Sequence, residues 1–226
     1  MKIRWAPPSI TEDERKSVLK VFDSNWFTQG PITELVEKKI CEITKSKYAV
    51  MTNNGTSALI CSLLAHEIGP GDEVIVPSFT FVATVNAILS VGAKPVLVDC
   101  NAKTFNTEVE FMKNKITKKT KAILPVDVSG MPVDINSFQD FANEHNLVFI
   151  RDSAEGLGAE YNHKKIGSFN HTSIFSFHMA KIVSGVEGGD SNHSNALKFG
   201  YQFTEYEYYN GVRFKFHILP FLDDKI

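Results

Sequence analysis

The sequence predicts an α/β fold, a mostly parallel sheet sandwiched by helices. Three observations carry that expectation. Short apolar runs of strand length recur along the chain, stretches of helical length and period separate most of them, and 43% hydrophobic with 22% charged residues is an ordinary globular balance. Strands that alternate with helices imply parallel neighbours covered on both faces. At 226 residues the chain has room for one large domain, or one plus a fragment, on the usual scale of roughly 150 residues per domain.

The elements follow in order. Thr11 precedes Glu14 by capping-box spacing, and Val18, Val21 and Phe22 then recur at helical period. Asn25 to Pro31 is a loop closed by a Gly-Pro breaker. A second helix is predicted over 33–44, with Val36, Ile40 and Ile43 on one face. Strands are predicted at 48–51, 73–76, 95–98, 122–126, 147–150 and 172–177, and helices at 56–66, 81–91, 107–116 and 135–145. From Asp190 the rhythm breaks. Tyr201, Phe203, Tyr206, Tyr208, Tyr209, Phe214, Phe216 and Phe221 crowd there without a clear period.

Composition excludes several function classes. Twenty-four Lys and Arg against 26 Asp and Glu give a net charge of −2, which supports neither a nucleic-acid partner nor an acidic tail. The run of basic residues from Lys113 to Lys121 reads as a solvated helix end. No apolar run approaches the roughly 20 residues of a membrane span, and Met1 to Trp5 reaches Pro7 and Pro8 without the apolar core of a signal peptide. Cys41, Cys61 and Cys100 are an odd number without close pairing. They argue against a disulfide framework or a metal site and make a reducing cytoplasm the expected compartment.

In an open parallel sheet, ligands bind beyond the carboxyl ends of the strands. After the first strand comes Asn53-Asn54-Gly55-Thr56-Ser57, then a helix. Small residues at a helix N-terminus form a plausible phosphate cradle, although a simple Asn-Gly turn with a Thr or Ser cap fits too. After the second strand come Phe79 and Phe81, which would either cover a flat ligand or pack in the core. Asp127 follows the fourth strand, and Arg151, Asp152 and Glu155 follow the fifth. A carboxylate directly after a buried strand is costly unless something cationic meets it. After the sixth come Ser176, His178 and Lys181, the lysine set among Ile174, Phe175, Phe177, Met179, Ile182 and Val183. An apolar setting disfavours an ammonium and so suits an amine nucleophile. A phosphate cradle, an aromatic, a strand-end Asp and such a lysine are the parts that a pyridoxal phosphate site requires.

At these residues the chain resembles the sugar aminotransferases of the DegT/DnrJ/EryC1/StrS family. The resemblance runs from about Pro8 to Gly189. It includes Trp26 to Pro31, Asn54 to Leu59, Gly69 to Pro77, Phe79 to Thr84, Gly92 to Val96, Asp152 to Glu155, Ser176 to Lys181 and Glu187 to Gly189. It implies the large domain of the aspartate-aminotransferase fold over 1–189, with an N-terminal helical segment, and a divergent aromatic-rich tail over 190–226 in place of the family's C-terminal small domain. Gly55, Thr56, Ser57 and Ser176 would hold the phosphate of pyridoxal 5'-phosphate. Phe81 would stack on the ring, Asp152 would bind its nitrogen, and Glu155 would lie near its 3-hydroxyl. Lys181 would attach the cofactor and shuttle the proton of catalysis.

The implied reaction moves an amino group from glutamate to a nucleotide-linked keto-sugar in a homodimer, with no metal, nucleic acid or membrane involved. Two other readings stay open: a truncated or degenerate homologue that folds without turnover, and a sugar dehydratase. Lys181 speaks against the dehydratase, where His often replaces the lysine. Three positions depart from the family pattern: Asp127 replaces a frequent His, Val186 a usual Gly, and Arg213 the expected Asn of a Gly211-Val212-Arg213 motif.

Overall fold

A computed structural model describes residues 10–181, 183–185, 188–193, 201–203 and 218–220. Val186, Glu187, the motif at 211–215 and the aromatics from Tyr206 to Phe216 and at Phe221 lie outside the described residues. The helices are α1 (Glu12–Ser24), α2 (Pro31–Thr44), α3 (Gly55–Ala65), α4 (Val82–Ser90), α5 (Val109–Met112) and α6 (Ile135–Glu144). The strands are β1 (Tyr48–Thr52), β2 (Glu73–Pro77), β3 (Lys94–Val98), β4 (Thr120–Ile123), β5 (Val148–Asp152), β6 (Glu160–Tyr161), β7 (Lys164–Lys165), β8 (Thr172–Ser176), β9 (Gly189–His193), β10 (Tyr201–Phe203) and β11 (Ile218–Pro220).

Seven strands form one sheet in the order β1-β9-β8-β5-β4-β2-β3. The pairs β3·β2, β2·β4, β4·β5 and β5·β8 are parallel, and β9 runs antiparallel to both β8 and β1. Side chains alternate across a strand, and the core splits accordingly. Val74, Val76, Ala122, Leu124, Ile150 and Ile174 face α3 and α4. Their strand neighbours Ile75, Ile123, Phe149 and Phe175 meet Phe138 and Phe141 of α6 on the other face. The α/β sandwich predicted from the alternating pattern is the observed one.

Two compact units divide the chain, Met1–Asn195 and Ala196–Ile226. The second contains the antiparallel pair β10·β11. β9 belongs to the first and spans Gly189–His193, across the point where the sequence rhythm ends. Its residues Gly-Asp-Ser-Asn-His carry no β-branched or aromatic signal, so only the pairing identifies it.

Local chemistry sets the element ends. Thr11 and Glu14 form the expected reciprocal cap, with the Thr11 N–H donating to Glu14 Oε2 at 2.6 Å. α2 starts with Pro31 in the first turn, earlier than predicted, where its missing N–H costs nothing. Met51 N–H donates to Glu37 Oε1 at 2.9 Å, so α2 occupies a donor on β1, the edge strand. β4 ends before Pro125, which has no N–H to donate; Leu124 N–H still reaches Ile75 O at 2.8 Å. The predicted helix over 107–116 shrinks to α5 and one tight turn, because Thr107 Oγ1 is tied down to Asp99 O at 2.9 Å. The hairpin β6·β7 turns on Asn162 and His163, both at positive φ, and its strands are too short for a periodic signal.

β5 extends further than predicted and takes in Arg151 and Asp152 as its last residues. Arg151 is fully buried. Its Nε lies 3.2 Å from Asp127 Oδ2, and Ser153 Oγ donates to the same oxygen at 2.6 Å. This is the cation that the carboxylate after β4 requires. Arg151 Nη2 adds donations to Ser173 Oγ, at 3.2 Å, and to Ile166 O. Asp127→Ala strands the guanidinium among neutral partners. It should lower stability by about 3–5 kcal/mol, read as a fall in the urea midpoint at an unchanged m value; an unchanged midpoint would show that the pair contributes nothing net.

Candidate functional site

The parallel strands end on one side of the sheet, and the polar residues singled out in the sequence sit at or just beyond those ends. β1 hands the chain to α3 through Asn53 and Asn54. Asn54 Oδ1 accepts from Ser57 N–H at 2.8 Å, and Thr52 Oγ1 donates to Asn54 O at 2.9 Å. Gly55, Thr56 and Ser57 form the first turn of α3, half-buried. The backbone there is crowded. A Cβ on Gly189 would come within 2.4 Å of the Asn54 carbonyl carbon, so β9 presses directly against the entry to α3. A Cβ on Gly55 would lie 3.1 Å from Ser176 Cβ, which puts Ser176, the last residue of β8, beside that first turn. The result is a helix N-terminus flanked by three hydroxyl side chains, an arrangement suited to an anion.

Asp152 closes β5 and is 4% exposed. Its Oδ2 accepts from Thr84 Oγ1 at 2.7 Å and its Oδ1 from Ala154 N–H at 3.1 Å. Burial pushes its carboxyl above the usual range. The Thr84 and Ala154 donations pull it back down, the Asp127 charge adds to the rise, and Lys181 opposes it. A carboxylate in this position gains most from a cation placed against it. Phe81 is the N-cap residue of α4 and stands 76% exposed, while Phe79 stacks on Phe105 with centroids 5.2 Å apart. Both rings are exposed, Phe81 the more so, and Phe79 has a tilted aromatic neighbour.

Lys181 follows β8, and its Nζ donates to Glu155 Oε1 at 3.0 Å. The apolar residues around this lysine divide: Ile174, Phe175 and Phe177 are buried, whereas Met179 and Val183 are exposed, and the ammonium is matched by a carboxylate. Glu155 is held from its other side by Ser129 N–H, at 3.0 Å to Oε2. That contact needs an unusual turn. Ser129 and Gly130 both take positive φ, and a Cβ on Gly130 would come within 2.7 Å of Glu155 O. The loops after β4 and β5 therefore fit together only with glycine at 130.

The fold brings together the α3 turn with Ser176, Asp152 with α4, and Glu155 with Lys181. Sequence reasoning missed Thr80, Thr84 and Ser129. Thr84 carried a faint signal, a hydroxyl at a helical position whose neighbours Ala87 and Ile88 are core; Ser129 acts through its backbone and carried none. Burial in α3 pushes the Cys61 thiol up to about 11, which disfavours its thiolate. Among the described residues no group of three or more His, Cys, Asp or Glu is placed to hold a metal ion. No helix among them is long and apolar enough to cross a membrane.

A family model described as the DegT/DnrJ/EryC1/StrS aminotransferase family matches residues 8–192. Two GDP-perosamine synthases, from Caulobacter vibrioides and Vibrio cholerae, are each 42% identical, over 189 and 183 residues. These matches cover 83% and 80% of this chain and 51% and 50% of the relatives, so the chain spans about half the length of the curated relatives it matches. Among solved structures, Spr1654 of Streptococcus pneumoniae in its PLP-form aligns with a TM-score of 0.83 at 34% identity, covering 87% of this chain and 54% of that one.

The Asp152 environment has a consequence for stability. Its carboxyl is raised above the ordinary value of 3.8, so ionising it is harder in the folded chain than in the unfolded one and lowers the net stability of the fold. That cost is absent below the ordinary value and grows as pH rises through the folded one. Asn has no charge to bury and can still accept from Ala154 N–H. Without added ligand, Asp152→Asn should therefore be more stable than the parent at pH 7, by about 0.5–2 kcal/mol, with the gap closing as pH falls toward 4. A parent at least as stable as the variant at pH 7 would contradict this account.

Proposed function

The chain belongs to the DegT/DnrJ/EryC1/StrS aminotransferase family, and from that premise we propose that it forms the pyridoxal phosphate-binding part of an aminotransferase that passes an amino group from glutamate to a keto group on a nucleotide-linked sugar. The observation that carries this reading is the buried, strand-end Asp152, whose raised carboxyl calls for a cation, with Lys181 at the same sheet edge. Residues present fit the group. The first turn of α3, with Thr56 and Ser57 and with Ser176 beside it, suits a phosphate dianion. Exposed Phe81 is free to cover a flat ring.

When bound, pyridoxal phosphate supplies an electron sink that lets an amino group change carbon. The protein's part is positioning and proton handling. Asp152 would hold a proton on the ring nitrogen, and Glu155 would lie near the ring's 3-hydroxyl. Lys181 Nζ would anchor the cofactor and, once free, would carry the proton that leaves the donor's α-carbon in one half-reaction and the proton that the acceptor carbon gains in the other. Glu155, paired to Lys181 at 3.0 Å, is placed to hold the amine while it is free.

The sugar substrate is inferred from the family and from the GDP-perosamine synthases it resembles. A homodimer is part of the same proposal. Val18, Leu19, Phe22, Phe27, Ile32 and Leu35 expose apolar surface on and between α1 and α2, and α1 buries none of its residues within the chain. A face of that kind is one that a second subunit would cover.

Lys181 carries the test. The chain incubated with pyridoxal phosphate and reduced with borohydride should carry the label on Lys181 in a peptide map. Lys181→Ala should lose the label and slow the half-reaction with glutamate by about 10²–10⁴-fold, the range of a positioned general base. A label fixed on another lysine would refute the assignment.

A further inference from the structure

Thr84 stands out among the groups that the reading above does not use. Its side chain is fully buried, one turn into α4, on a face otherwise formed by Ala87 and Ile88. A buried hydroxyl on an apolar helix face costs free energy unless it is hydrogen-bonded. Thr84 Oγ1 donates to Asp152 Oδ2 at 2.7 Å and lies 2.7 Å from Thr80 Oγ1. An ionised carboxylate can only accept. The single Thr84 proton therefore points at Asp152, and the proton between the two hydroxyls comes from Thr80. The hydrogen bonds run one way, from Thr80 to Thr84 to Asp152.

We propose that Thr84, braced by Thr80, is a positioning residue that fixes the Asp152 carboxylate in one orientation, and in its ionised form, for the ring nitrogen of a bound pyridoxal phosphate. This rests on the reading of Asp152 given above. Thr84 holds Oδ2 and the Ala154 N–H holds Oδ1, so each oxygen has a fixed donor and the group cannot rotate without breaking one of them. A proton on Oδ2 would have to displace the Thr84 donation or reverse both hydroxyls. The charged groups acting on the carboxylate are Asp127, which opposes ionisation, and Lys181, which favours it. The Thr84 donation works in the same direction as Lys181 but is short, directional and shielded from water. It also links the site to the start of α4, where Thr84 N–H donates to Phe81 O at 3.1 Å, so the residue proposed to cover the ring and the one that orients its nitrogen partner share a turn.

The test compares Thr84→Val, which keeps the shape and loses the hydroxyl, with Thr84→Ser, which keeps it. The first readout is the carboxyl ¹³C titration of Asp152 in the chain without cofactor, assigned by the signal lost in Asp152→Asn. The midpoint should rise in Thr84→Val and stay near the parent's in Thr84→Ser. The second readout is affinity for pyridoxal phosphate and for the analogue in which C–H replaces the ring nitrogen. Thr84→Val should bind pyridoxal phosphate about tenfold more weakly, the scale of one hydrogen bond to a charged group, and bind the analogue as the parent does. An unchanged midpoint in Thr84→Val, or an equal loss of affinity for both compounds, would overturn the proposal by leaving Thr84 as packing alone. A parent chain that binds neither compound would instead refute the cofactor reading, and the carboxyl titration would still decide whether Thr84 sets the state of Asp152.

Discussion

Arg151 is a guanidinium with no exposed surface, and burying such a cation unpaired costs several kcal/mol. Asp127 meets it from the end of β4, Ser153 from the next residue but one, Ser173 from β8 and Ile166 O from the turn after β7. Four segments of chain are thereby obliged to converge under the loops that carry the site. The segments differ in what they bear above: the loop from β4 brings Ser129, the loop from β5 brings Glu155, and β5 itself ends on Asp152. An electrostatic requirement inside the sheet thus sets where those groups stand at its edge. Asp127 also accepts from Val133 N–H at 3.0 Å, so one carboxylate satisfies the cation and fixes the course of the loop leading to α6.

Asp152 lies on the opposite face of β5 from Arg151, and the two charges have opposite fates. Arg151 is compensated within the chain, whereas Asp152 has two donors but, among the described residues, no cation in contact, and the nearby Asp127 charge disfavours its ionisation. Glu155 and Lys181 form the third charged element. They satisfy one another across the gap between the loops after β5 and β8. A sheet edge holding one matched pair and one unmatched carboxylate is prepared for a ligand with a positive end, and the α3 turn at the other side of the site supplies the complement for a negative one.

Much of this was legible in the sequence. Six of the seven sheet strands announce themselves as short apolar runs, and the central ones, β2, β5 and β8, are buried along all or nearly all of their length because the sheet is covered on both faces. The seventh, β9, is polar and is a strand only because β1 and β8 leave room for it. Asn54 to Ser57, Asp152 and Lys181 stood out through position after a strand. The surroundings of Lys181 did not, because flanking Met179 and Val183 suggest an apolar setting while the fold turns both toward solvent. Thr84 was only faintly legible for a related reason: its partner lies 68 positions away, and no local pattern encodes that pairing. Arg151 lay in plain view beside Asp152, yet its partner Asp127 became identifiable only once β4 and β5 were side by side.

β9 also bears on how the chain reaches this structure. Among the described residues β1 joins the sheet through β9 alone, with Tyr48 opposite His193 and Thr52 opposite Gly189. Nearly the whole large unit must therefore emerge from the ribosome before the first strand finds its place. Until then β1 and β8 present unpaired edges, and the close fit of Gly189 against Asn54 cannot form. Pairing across such sequence separation is slow to nucleate and leaves nascent chains open to association through those edges. The first turn of α3, the most ligand-ready feature of the sheet edge, is consequently completed by β9, which comes last in sequence among the seven strands of its sheet.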